Sequence, residues 1–288
     1  MKTIVHTRPG GPRHWVGNGF PVRSLFSYHD HAESMDPFLL LDYAGPASFQ
    51  PTGSRRGVGV HPHRGIETVT IVYQGELAHR DTAGNGGEIS AADVQWMTAG
   101  AGIAHEEYHS DRFARTGGTL EMVQLWVNLP ARHKQAEPRY RAIVAGEIPT
   151  AMLPDSAGYV RVIAGEHDGH IGPARTHTPM IVWDIRLKAG CRTELTLPEG
   201  WGAGIATLGG PVLINDTAIT REAEFTVLSR EGTHITLEAN NDATLLLLSG
   251  EPIDEPVVGH GPFVMNTTEE IHRALRDYQD GRFGQVNH

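Results

Sequence analysis

The sequence predicts an all-β chain of two similar strand-rich halves in tandem, followed by one amphipathic helix at the C-terminus. Three observations carry this. Thirty-four glycines punctuate short apolar runs of strand length, the pattern of short strands joined by tight turns. Ala92–Thr98 and Ala223–Ser229 read as equivalent positions of two copies. Only the tail, from Thr267 onward, carries a helical start signal followed by a 3.6-residue apolar spacing.

Taken in order, the first half runs as strand and turn from Gly59 to Leu129. Glu67–Tyr73 is rich in β-branched residues and stops at Gln74-Gly75. Glu76–Arg80 reads as its partner strand and Asp81–Gly87 as a hairpin-type turn cluster. Val94–Met97 and Leu120–Val127 are further strands; Asn128-Leu129-Pro130 breaks the pattern, and Ala131–Arg141 is polar enough for a linker. The second half repeats the rhythm over Ile181–Leu187, Thr193–Leu197, Gly204–Leu208, Pro211–Asn215, Glu224–Leu228, His234–Glu238 and Thr244–Leu248. In the tail, Thr267 as N-cap and Glu270 three residues on form a capping box. Ile271, Ala274, Leu275 and Tyr278 then follow the helical spacing, and Gly281 ends the run. The expected divisions are 1–135, 142–255 and a 256–288 tail whose helix packs on the β scaffold.

Composition narrows the function classes. A formal net charge of -10 disfavours direct nucleic-acid binding, which needs clustered Lys and Arg; Arg55-Arg56 is too short a patch. The longest aliphatic run, Leu245–Leu248, is far short of the roughly 20 residues that cross a bilayer, and the N-terminal residues lack the apolar region of a signal peptide. Cys191 is the only cysteine, so no intrachain disulfide forms, which suits a reducing compartment. The expectation is a cytoplasmic protein without a membrane or nucleic-acid partner.

The most informative residues are His61-Pro62-His63 and, far downstream, His105-Glu106-Glu107. In a strand, residues i and i+2 point to the same face. Two neighbouring strands with such pairs aim His61, His63, His105 and one carboxylate into a common space. Three imidazoles and a carboxylate suit a divalent first-row metal, and a six-coordinate ion so held keeps two positions for substrate and oxygen. Glu106 has the wrong parity if His105 faces inward. Glu67 shares the parity of His61 and His63, so periodicity alone leaves Glu67 and Glu107 as alternatives.

Most of the seventeen histidines are bland, since one site needs three or four. His29-Asp30-His31 reads as a turn, and His79 and His109 as residues near the pocket, in the core or on the surface. His133, His167, His170, His177, His260, His272 and His288 read as loop or surface. No Gly-x-Ser-x-Gly elbow, P-loop or Rossmann fingerprint is present.

The chain resembles the pirin family of the cupin superfamily. The resemblance rests on Met35-Asp-Pro-Phe-Leu-Leu-Leu-Asp42, His61-Pro-His-Arg-Gly-Ile-Glu-Thr-Val-Thr70 and Gly75-Glu76 with His79-Arg-Asp81. It continues through Asp93-Val-Gln-Trp-Met-Thr-Ala-Gly100, Gln124-Leu-Trp-Val-Asn-Leu-Pro130 and Gly261-Pro-Phe-Val-Met-Asn-Thr267, and so covers nearly the whole chain. It implies two tandem cupin β-barrels, a bicupin, with a metal in the first only; the 142–255 barrel would then be structural. It also selects the carboxylate, because pirin ligands fall on His61, His63, His105 and Glu107, whereas cupins in general more often use the position of Glu67.

The activity implied is that of quercetin 2,3-dioxygenases, which open the flavonol ring with O2 and release carbon monoxide. The expected cofactor is one divalent ion, foremost Fe(II), with manganese, nickel, cobalt, copper and zinc left open by the donor set. Glu107 would then also be catalytic, accepting the flavonol hydroxyl proton, and Phe38, Trp96 and Met97 are candidates for an apolar mouth. The alternative implied by eukaryotic pirins is an iron-dependent regulatory protein that binds a protein partner without turnover.

Overall fold

The computed structural model describes residues 1–286, and the side chains of residues 31–33 lie outside the description, so the readings of the His31 side chain and of His288 do too. The chain divides into two compact units, each assembled from three stretches. One comprises Met1–Pro12, Ser24–Leu40 and Gly146–Ile253; the other comprises Arg13–Arg23, Leu41–Ala145 and Asp254–His288. The expected divisions treated each half as continuous. The stretches of the two units alternate along the chain instead; the N-terminal strand Ile4–Pro9 pairs antiparallel with Glu224–Leu228 and joins the second half's sheet. Fully buried Lys2 fastens that strand, donating to the carbonyls of Trp201, Ser229 and Arg230 at 2.9–3.1 Å.

Both halves are all-β, and both pair a seven-stranded sheet with a four-stranded one. In the first half the larger sheet runs Arg139–Ile143, Val94–Thr98, Ile66–Gln74, Gly118–Asn128, Phe38–Phe49, Phe20–Ser27, His14–Val16. In the second it runs Ile4–Pro9, Glu224–Leu228, Gly202–Gly209, Ala243–Gly250, Met180–Leu187, Gly158–Ala164, Thr150–Met152. Val94–Thr98 and Glu224–Leu228 thus occupy the same second place, as their sequence likeness predicts. The alanines just before them, Ala92 and Ala223, both adopt positive φ, +72° and +60°.

Several segments differ from their sequence reading. Arg139–Ile143, inside the expected linker and just past it, is the edge strand of the larger sheet. Gly86–Ser90 is a strand although its first residues are glycines, because it pairs along Glu76–Asp81. His29-Asp30-His31 lies on the eight-residue helix Tyr28–Met35 rather than in a turn. In the second four-stranded sheet the place of Gly57–His63 is taken by Cys191–Thr196. The core of that half is aliphatic, including Val162, Leu195, Leu197, Ile205, Ile235 and Leu237 around buried Trp183.

The tail folds as expected. Thr267 Oγ1 accepts from the Glu270 amide and the Glu270 carboxylate accepts from the Thr267 amide, capping the helix Thr268–Gln279. Ile271 and Ala274 are buried with Phe263, Met265 and Phe283. The helix also buries Asp277, which no apolar pattern announces, because Arg64 donates to it at 2.8 Å. Arg64 Nε reaches the Ala101 carbonyl at 2.6 Å, and its guanidinium lies over the Phe283 ring. The tail is therefore bound to the residue that follows His63. Gly65 completes this junction: at φ +80° a Cβ there would meet the Val264 carbonyl oxygen at 2.0 Å.

Candidate metal centre

The centre stands on three adjacent strands of the four-stranded sheet of the first half, read in register. His61 and His63 come from Gly57–His63, His105 and Glu107 from Ile103–His109, and His79 and Asp81 from Glu76–Asp81. His105 lies opposite His61 on one side and opposite Asp81 on the other, and Glu107 lies opposite His79. Alternation then turns all six side chains to one face. The register slips by one between His61 and Val58, a bulge. Beside it, His61 Nδ1 donates to the Gly59 carbonyl at 2.8 Å.

The three histidine rings converge. Their centroids lie 4.3 Å (His61–His105), 5.0 Å (His63–His105) and 5.1 Å (His61–His63) apart. One nitrogen from each falls within 4.8 Å of the others. Ligands of one ion at roughly 2.1 Å are at most about 4.2 Å apart, so the span is close to a coordination sphere. The nitrogens are in the right state. His61 Nδ1 carries the hydrogen it gives Gly59, which frees Nε2. His63 Nδ1 and His105 Nε2 are buried with no hydrogen-bond partner among the described residues. Burial first, then the neighbouring imidazoles, lowers both pKa values well below the ordinary histidine value, so both rings are neutral, the form that binds metal. Buried, bare nitrogens cost free energy unless something satisfies them, and a divalent ion fits all three.

Glu107 belongs to a second group with His79 and His105 and falls outside the span of His61 and His63. Its Oε1 accepts from Gln95 Nε2 at 3.1 Å and from Thr70 Oγ1 at 3.5 Å. Glu67 joins neither group among the described residues. The parity argument for it fails because the Arg64-Gly65 turn separates His63 from Ile66–Gln74, which runs in the other sheet. Thr70 faces Glu107, so Glu67, three residues away, takes the opposite face. There it is fully buried, accepts from Thr98 Oγ1 at 2.7 Å, and has its pKa pushed up to about 7 by burial. Glu106 is buried too, with Arg55 3.6 Å away. His109 is a core histidine that interacts through Nε2 with the Gly19 carbonyl among Phe20, Phe49 and Phe113.

Family models named Pirin and Pirin C-terminal cupin domain match residues 19–127 and 182–284. A Pseudomonas aeruginosa protein named "Putative quercetin 2,3-dioxygenase" is 57% identical over 98% of this chain and 99% of its own length. The chain belongs to the pirin family. The crystal structure of a quercetin 2,3-dioxygenase from Acinetobacter baumannii superimposes with a TM-score of 0.97 at 49% identity, covering 100% of both chains. A bacterial pirin from Escherichia coli in complex with nickel(II) shares the fold at a TM-score of 0.64 and 21% identity, over 86% of this chain and 99% of that one.

For a pirin, the wall facing the histidines matters as much as the ligands, and sequence reading missed most of it. Gln124 and Trp126 project from Gly118–Asn128, where they pair with Thr70 and Thr68 of Ile66–Gln74. Thr70 Oγ1 donates to Gln124 Oε1 at 2.9 Å, and Trp126 meets His63 edge-on at 5.3 Å. His61, Glu107, Gln124 and Trp126 are only half-buried, which leaves the centre approachable from their side. Of the aromatic-mouth candidates, Trp96 alternates away from Gln95, Met97 is fully buried on the Gln95 face, and Phe38 lies in the other unit. The missed signal was register, which pairs Gln95 with Thr70 and Gln124 with Thr70.

Proposed function

We propose that this chain is a dioxygenase that opens flavonols such as quercetin with O2 and releases carbon monoxide, using one divalent ion, preferentially Fe(II), held by His61, His63, His105 and Glu107. The observation that carries it is the convergence of three imidazoles, two of them neutral, each with a buried nitrogen that has no partner among the described residues. The activity named for the 57% and 49% identical relatives supports the substrate class. When bound, the ion supplies Lewis acidity toward the substrate hydroxyl and one-electron chemistry with O2.

The protein's own contribution is positional. Gln95 binds Oε1 of Glu107, which leaves Oε2 to accept the flavonol hydroxyl proton. The Trp126 ring, half-buried beside His63, offers an aromatic face for a flat substrate. Gln124, tied to Thr70, adds an amide at the same rim for a phenolic hydroxyl. The test is oxygen uptake and carbon monoxide release by the iron-loaded protein with quercetin. Stoichiometric metal without uptake across a panel of flavonols refutes the dioxygenase and leaves a metal-dependent binding protein, whose partner a pull-down from native extract would identify.

A further inference from the structure

Behind His105, on the side away from His61 and His63, lies a chain of polar groups of which the proposed chemistry uses only Gln95. His79 Nδ1 is 3.2 Å from His105 Nδ1 and 3.2 Å from Gln95 Nε2. Its Nε2 is 3.4 Å from Asp81 Oδ2. Tyr140 stacks on the His79 ring, centroids 4.6 Å apart and planes 12° from parallel. All of His79, Asp81, Gln95 and His105 are buried, so every hydrogen must find an acceptor.

Only one placement of hydrogens satisfies this chain. The Asp81 carboxylate accepts only, so His79 Nε2 carries a hydrogen and His79 Nδ1 is bare. Burial alone would raise the Asp81 pKa, but hydrogen bonds from His79 and Asn85 outweigh it and hold it below the ordinary value, so the group is ionised. The Gln95 amide is oriented by Glu107, whose carboxylate also only accepts; its Nε2 therefore faces both Glu107 and His79 as donor. Two bare nitrogens cannot face each other, so His105 Nδ1 carries a hydrogen and shares the single lone pair of His79 Nδ1 with the Gln95 amide. That puts the His105 hydrogen on Nδ1 and strips Nε2, the buried nitrogen without a partner.

We infer that Asp81 and His79 are positioning residues that fix the tautomer of His105, presenting its Nε2 lone pair to the metal. The inference rests on the metal centre proposed above. It adds a requirement that neither the ligand set nor the fold contains: a carboxylate two residues removed from coordination sets which nitrogen of His105 is free. The Asp81 carboxylate is itself held. Its Oδ1 accepts from the Ala83 and Asn85 amides, each at 2.9 Å, and its Oδ2 from Asn85 Nδ2 at 3.0 Å.

This anchoring makes Asp81→Asn a directed test. The two backbone amides keep an oxygen at the Oδ1 position, so the new amide nitrogen faces His79 as a donor. His79 must then present a bare Nε2 and carry its hydrogen on Nδ1, and His105 must accept on Nδ1 and carry its hydrogen on Nε2. The substitution reverses the Asp81–His79–His105 line while changing almost no volume, and it sets His79 Nδ1–H against the Gln95 amide instead of beneath it. Nitrogen-15 NMR of histidine-labelled apo-protein reads the tautomers, and chelator competition with zinc(II) reads affinity. The expected result is Nδ1–H for His105 in the parent, Nε2–H in Asp81→Asn, and zinc binding weakened roughly 10- to 100-fold, the usual cost of losing such a partner. An Nε2–H tautomer in the parent overturns the inference even if the variant does not fold. So does a variant that binds zinc within about twofold of the parent. Failure of the parent to bind any metal would instead refute the metal centre, and its tautomers would still decide the relay.

Discussion

Replacing Glu67 with glutamine should stabilise this protein, and only above a defined pH. The side chain is fully buried, one oxygen accepts from Thr98 Oγ1 at 2.7 Å, and the Trp96 indole also favours the charged form. Burial raises its pKa from 4.5 to about 7, against the opposing pull of the Thr98 and Trp96 side chains. At about 1.4 kcal/mol per pH unit, that rise is worth about 3 kcal/mol. The folded pKa lies above the unfolded one. Below pH about 4.5 both states are protonated and nothing is lost; between about 4.5 and 7 the unfolded chain ionises first and stability falls; above 7 the full cost is present. Glu67→Gln keeps an acceptor for Thr98 and cannot ionise. It should therefore gain about 3 kcal/mol at pH 8, roughly 6–12 °C in Tm, and nothing at pH 4. Thermal melts of metal-free parent and variant at both pH values measure this, with elemental analysis in parallel. An equal Tm difference at pH 4 and pH 8 would refute the reasoning. Loss of metal from Glu67→Gln would return Glu67 to the ligand set.

Three further outcomes follow from the same geometry. His61→Ala or His105→Ala should weaken metal binding by at least ~100-fold in chelator competition, since each removes a converging nitrogen. Glu107→Gln should lower oxygen uptake with quercetin by roughly 10²–10⁴-fold, the range for loss of a general base, whereas Glu106→Gln should leave uptake and metal content intact. Asp277→Ala leaves Arg64 buried without its carboxylate, at side-chain exposures of 9% and 11% for the pair. Urea unfolding should show a loss of about 3 kcal/mol, with the tail helix released first in hydrogen exchange.

The sequence by itself determined what local chemistry dictates. Alternating and β-branched runs specified most strands of both halves, and the Thr267–Glu270 capping box specified the helix start, because each depends on neighbours a few residues away. The His61/His63 and His105 pairs were legible for the same reason: period two places them on a face without knowledge of the fold. Tertiary structure decided what depends on pairing. Ile4–Pro9 shows no strand signal strong enough to place it, and only its register with Glu224–Leu228 assigns it to the second half's sheet. Glu67 looked equivalent to His61 and His63 along the chain, but one turn at Gly65, with φ +80°, carried it into another sheet and onto another face. His79 and Asp81 reach the histidines from the neighbouring strand, and Gln95 and Trp126 reach them from the other sheet, with contacts 16 and 63 residues apart in sequence. Alternation along one strand is written in its own sequence; which strand lies beside it is settled by backbone hydrogen bonding across the sheet.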